Sequence, residues 1–153
     1  MKKTTRSESK PRPTTCPEEV TYLELLRTTD RLSRRLTQVL KTEDLSSNQY
    51  NVLRILRGAP DGLPCGEIGH RLITRDPDIT RLLDRLEKRT LISRCREIKD
   101  RRMIMAHITP EGLELLARLD EPVREAHRSQ LGHLGRERLR TLTGLLRHSQ
   151  LTV

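Results

Sequence analysis

The spacing of apolar residues changes period several times along the chain, and each change marks an element. From Glu18 onward Val20, Leu23, Leu26, Leu32, Leu36, Val39 and Leu40 recur near helical intervals, with Arg and Thr between them, predicting a long first helix that ends near Lys41. Ser46 stands three residues ahead of Gln49, the capping-box arrangement, and introduces a second helix carrying Val52, Leu53, Ile55 and Leu56. Gly58-Ala59-Pro60-Asp61-Gly62 stops it. Residues 63–72 read as a short strand entering a two-turn helix. Next, Asp76 is expected to cap a helix with Pro77 at its first position, where the missing N–H costs nothing. That helix runs to about Arg89 and places Ile79, Leu82, Leu83 and Leu86 at i, i+3, i+4 and i+7, a face that demands burial.

The next period is two. Residues 91–96 and 103–108 are β-prone, and the charged run Glu97-Ile98-Lys99-Asp100-Arg101-Arg102 between them makes the tip of a hairpin. Thr109 then caps a helix opening with Pro110-Glu111, with Leu113, Leu116, Leu119 and Val123 as its stripe and an end near Gln130. Gly132 and Gly135 interrupt, and a last helix over residues 136–148 carries Leu139, Leu142, Leu145 and Leu146 on one side. The order is helix, helix, strand, helix, helix, strand, strand, helix, helix. It predicts a mainly α, α+β fold: a winged helix-turn-helix between long amphipathic arms. A domain this small cannot cover such arms, so the economical arrangement is a two-fold dimer in which the terminal helices pack on their symmetry mates.

Charge narrows the function. The chain's 153 residues hold 30 Lys and Arg against 21 Asp and Glu, a formal charge of +9 that favours a polyanionic partner. Tyr22 and Tyr50 are the aromatic residues, too few for a stacking platform, which ranks duplex DNA above single-stranded nucleic acid. Residues 1–17 are basic, rich in Pro, Ser and Thr and nearly free of apolar residues, and read as a disordered tail. The tail lacks the apolar run of a secretory signal, and no segment reaches the roughly 20 apolar residues of a membrane span, so a cytoplasmic, nucleoid-associated location with no membrane partner is expected. Cys16, Cys65 and Cys95 are odd in number and far apart, so they read as free thiols rather than a disulfide framework or a paired-cysteine metal site. The five His show no i, i+4 pairing with carboxylates, so no metal and no cofactor are expected.

Four segments carry a resemblance to a known family. Leu45-Ser46-Ser47-Asn48-Gln49-Tyr50 matches a helix entry, and Ile79-Thr80-Arg81-Leu82-Leu83-Asp84-Arg85-Leu86-Glu87-Lys88 a recognition-helix pattern. Thr90-Leu91-Ile92-Ser93-Arg94 follows, and Asp100-Arg101-Arg102 precedes Ile108-Thr109-Pro110-Glu111-Gly112. In this order and spacing the chain resembles the MarR regulators over about residues 18–148. Two departures stand out. Thr90 occupies a helix end where many relatives carry Gly, a residue suited to positive φ. Cys16 precedes the first helix, whereas the peroxide-sensing relatives carry a reactive Cys within it.

The resemblance implies a division into a DNA-binding lobe at residues 46–109 and dimerisation helices at 18–42 and 110–148. Thr80 and Arg81 are the expected base contacts, with Asp78 beside them, and Arg85 and Lys88 the phosphate contacts; a solvated helix face is the alternative. At the hairpin tip Arg102 is placed to enter a minor groove, Arg101 to touch phosphate and Asp100 to orient the guanidinium, or else the Asp100–Arg102 pair only stiffens the tip. Many relatives respond to small anionic aromatic molecules. Tyr22 and Tyr50 are candidates for such an effector pocket, with core packing as the alternative. Cys16 is a redox candidate by exposure and Cys65 by its place at a helix start, which would lower its pKa; Cys95 reads as buried or inert.

The function expected is a homodimeric transcriptional regulator, usually a repressor in this family, that reads a pseudo-palindromic operator and is released by a small-molecule or redox signal. A nonspecific architectural DNA-binding protein is the main alternative, and a winged helix that binds only protein is another. No Ser/His/Asp order, phosphate-cradling Gly loop or paired-carboxylate motif supports an enzyme.

Overall fold

The computed structural model describes residues 16–97 and 103–152. Helix α1 spans Pro17–Leu40, α2 Ser47–Arg57, α3 Cys65–Arg71, α4 Ile79–Lys88, α5 Pro110–Leu131 and α6 Gly135–Ser149. Strands β1 (Leu63–Pro64), β2 (Ile92–Arg96) and β3 (Ile104–Ile108) form an antiparallel sheet in the order β1-β3-β2. This is the expected element order. The tail up to residue 15 and the hairpin tip, with Asp100, Arg101 and Arg102, lie outside the described residues.

Local chemistry accounts for the helix ends. Cys16 and Pro17, placed with the tail by composition, open α1: the Cys16 sulfur accepts from the Glu19 N–H at 3.4 Å and Pro17 takes the first position. Ser46 and Gln49 form the reciprocal capping box, and Gly58 ends α2. The start of α4 differs from expectation. Asp78, not Asp76, caps it, accepting from the Arg81 N–H at 3.1 Å. Asp76 is engaged one turn earlier, accepting from the Asp78 N–H at 3.0 Å and from Asn48 Nδ2 at 2.9 Å. It anchors the α3–α4 connection to α2 instead of starting a helix.

The core lies where α2, α4, the sheet and the first half of α5 meet. Leu40, Val52, Leu53, Leu56, Ile68, Leu83, Leu86, Ile92 and Leu116 are essentially inaccessible there. On α5 the buried stripe is Leu115, Leu116, Leu119, Val123 and Ala126, while Leu113, expected in the stripe, is exposed. The first three turns of α1 and all of α6 hold no buried residue. Pairs of charged groups tie the periphery to the core. Arg118 of α5 donates to both Glu43 oxygens at 2.9 Å, and Arg57 of α2 meets both Asp120 oxygens at 2.9 Å. The Arg118 hydrogen bonds hold the Glu43 carboxyl below its usual range.

The α4–β2 corner is the tightest point. Leu91 N–H bonds Leu86 O at 3.0 Å and Thr90 N–H bonds Glu87 O at 2.8 Å, a Schellman closure whose Leu86 and Leu91 are both buried. The closure requires a left-handed residue, and Thr90 takes φ 57°. Thr109 then braces the corner: its hydroxyl donates to Thr90 O at 2.6 Å and accepts from the Gly112 N–H at 3.1 Å. Gly112 sits so near that a Cβ there would lie 2.3 Å from Leu91 O.

Two substitutions test this corner. Thr90→Gly should raise stability by about 1 kcal/mol in denaturant unfolding, because relief of left-handed strain outweighs the added freedom of the unfolded chain. Gly112→Ala should lower it by about 1–3 kcal/mol, since the obstacle is backbone that yields only by shifting α5.

Candidate nucleic-acid interface

The position of α4 follows from its leucines. Leu82, Leu83 and Leu86 are buried against α2, α3 and the sheet, and Ile79 is half-buried beside them. Burying that face turns Thr80, Arg81, Arg85 and Lys88 outward, and all four are exposed. The expected reading residues therefore share one ridge. Arg81 has its side chain 78% exposed and its Nε 3.0 Å from Asp78 Oδ2. Asp78 is thus a helix cap and ion-pair partner, and no longer a free polar group. Arg85 approaches Asp76 and, after the hydrogen bonds from Asn48 and the Asp78 N–H, helps hold that carboxyl low.

Reading the chain for periodicity missed a clamp behind the ridge. Arg94 on β2 donates from its backbone to Glu87 Oε1 at 3.1 Å, from Nε to Glu87 Oε2 at 2.9 Å, and from Nη2 to Asp84 Oδ1 at 2.6 Å. Asp84 is thereby half-buried and turned toward the sheet, away from the exposed ridge. Glu87 and Asp84 push the Arg94 guanidinium above its ordinary pKa and keep it charged. Arg89, one turn on, donates to the carbonyls of Asp44 at 2.6 Å and Glu43 at 2.8 Å. The signal for the clamp was present as two acids three residues apart on α4 followed by an Arg in the next strand. A one-dimensional wheel does not show which side of α4 the strand passes.

The other candidates are scattered. Tyr50 is buried in the core with the Arg54 guanidinium 5.7 Å from its ring centroid, and burial pushes its phenol up. Tyr22 is 61% exposed and lines a shallow groove with Pro17, Glu18, Thr21 and Leu25. Tyr50 is not among the residues lining that groove. Cys16 is exposed, as expected. Cys65 is half-buried, and burial pushes its thiol up, against the lowering expected from its helix-start position. Cys95 is exposed rather than buried, with its sulfur 3.6 Å from His107 Nε2.

An exposed basic helix face backed by a three-stranded sheet suits insertion into a DNA major groove. Known proteins share the arrangement. The MarR family model matches residues 45–104, the segment from the α2 entry into the hairpin. A MarR transcription factor from Planctomyces limnophilus is 41% identical, with 89% of this chain and 98% of that one covered at a TM-score of 0.68. The chain belongs to the MarR family. The homoprotocatechuate degradative operon repressor of Escherichia coli is 29% identical over 108 residues, 71% of this chain and 72% of that protein. The regulator PecS of Dickeya dadantii is 31% identical over 117 residues, 75% and 70%. As a MarR-family member the chain is a DNA-binding transcriptional regulator and not an enzyme. Among the described residues no helix is long and apolar enough to cross a membrane.

The clamp makes a prediction of its own. Arg94→Ala should cost about 1–3 kcal/mol in unfolding stability, because it leaves two half-buried carboxylates facing each other. Arg94→Lys should recover less than half of that, since an ammonium lacks the planar fork that serves both acids.

Proposed function

We propose that the regulator acts as a homodimer on a pseudo-palindromic operator, with α4 of each protomer in successive major grooves and the hairpin tip alongside. The observation that carries this reading is the outward ridge of Thr80, Arg81, Arg85 and Lys88 on a helix whose opposite face is buried. The unpartnered arms support the dimer. Val20, Leu23 and Leu26 of α1 and Leu142, Leu145 and Leu146 of α6 are exposed, Leu145 to 65%, an apolar surface that a second copy would cover. Residues 46–109 then form the reading lobe and the terminal helices the dimer, with half-sites about one helical turn apart. Arg101 and Arg102, oriented by Asp100, would reach phosphate and the minor groove, and the basic tail would add attraction without sequence preference.

Repression is the mode this reading favours, in keeping with the relative named as an operon repressor. Release by a small molecule or by oxidation of an exposed thiol such as Cys16 completes the proposal. Architectural binding without sequence preference is the competing reading, supported by the charge of +9.

Sedimentation and band-shift measurements test it together. The purified chain should sediment as a dimer and bind one palindromic fragment at least about a thousandfold more tightly than random duplex at physiological salt. Arg81→Ala should cost about 1–3 kcal/mol and relax sequence preference, whereas Lys88→Ala should weaken all duplexes alike and reduce the salt slope by about 1. A monomer at working concentration, or equal affinity for every duplex, would overturn the proposal.

A further inference from the structure

Arg81, exposed on the ridge, has an acid beside it. Asp78 serves it twice with one carboxylate: Oδ1 accepts from the Arg81 backbone N–H at 3.1 Å, and Oδ2 lies 3.0 Å from Nε, the innermost guanidinium nitrogen. Among the described residues no hydrogen bond takes up Nη1 or Nη2. The outer edge of the guanidinium, two parallel N–H donors, is therefore presented to whatever the ridge meets. Guanine is the base that offers two adjacent acceptors, O6 and N7, in the major groove; adenine places an amino donor where O6 would be.

From this geometry we infer that Asp78 is a positioning residue that sets Arg81 to read a guanine in each half-site. The inference rests on the operator-reading function and specifies what that function selects. Two physical effects make the pair selective. Holding Nε removes part of the rotamer freedom that an arginine otherwise loses on binding. The carboxylate also faces a polyanion: its negative charge offsets part of Arg81's attraction to phosphate on every sequence, so hydrogen bonds to guanine count for more of the remaining affinity. An acid at this position thus lowers affinity for random sequence and raises discrimination.

The experiment starts from half-sites selected by the intact protein out of a random duplex pool. An enriched half-site should carry a guanine beneath the start of α4. Replacing that guanine by 7-deazaguanine, which deletes the N7 acceptor, should weaken binding at least about tenfold, while inosine, which keeps O6 and N7, should change it less than about twofold. Asp78→Asn keeps a side chain that caps as well as Asp, so the melting temperature should hold. Its preference for guanine over adenine at that position should nevertheless fall, and its affinity for random duplex should rise. Arg81→Lys should lose the guanine preference while retaining salt-dependent attraction. Enriched half-sites without that guanine, or an Asp78→Asn protein that discriminates like the wild type, would overturn the inference and leave the operator-reading function standing. A pool with no enriched sequence would overturn both.

Discussion

The outward direction of Thr80, Arg81, Arg85 and Lys88 depends on the rotation of α4 about its own axis, and burial of Leu82, Leu83 and Leu86 sets that rotation. Three leucines on one face are worth about 1.5–3 kcal/mol each when removed from water, so turning the helix by one residue would forfeit most of that while drawing Arg81 or Arg85 into an apolar interior. The same packing that stabilises the lobe thereby aims its basic groups outward. Basic ridge and core are two sides of one helix.

The acidic residues of α4 and its approach are what convert a basic helix into a directed one. Asp76 ties the connection to Asn48, Asp78 caps the helix and holds Arg81, and Asp84 with Glu87 grips Arg94 on β2. Each acid thus neutralises a cation or satisfies a backbone donor at a defined place. Arg85 and Lys88 stay exposed on the ridge, and Arg81 stays exposed there despite its pairing with Asp78. Net charge accounts for attraction to DNA, but this internal pairing decides which cations remain available for it.

Left-handed backbone at a non-glycine residue occurs among the described residues at Asp44, after α1, and at Thr90, in the corner between α4 and the hairpin. Thr90 accepts a left-handed conformation because the Leu86–Leu91 closure and the Thr109 hydroxyl determine its surroundings, and Gly112 clears the space for α5 to arrive. The corner joins α4, the sheet and the start of α5 at one point.

Much of this was legible in the chain. Helix and strand order, the Ser46–Gln49 box, the Gly58 stop and the outward set Thr80, Arg81, Arg85 and Lys88 follow from apolar spacing and short-range capping chemistry, both encoded within a turn or two of sequence. The likeness at Thr90 to a Gly position even marked where positive φ would fall. Contacts between residues far apart in the chain decided the rest. Asn48 claimed Asp76, so the cap passed to Asp78; Arg94 claimed Asp84, so a polar position on the wheel turned inward; Leu113 lost its place because α5 packs through Leu115 and Leu116. Periodicity tells which face of an element is apolar, but only the docking of neighbouring elements tells which polar group a given carboxylate will meet.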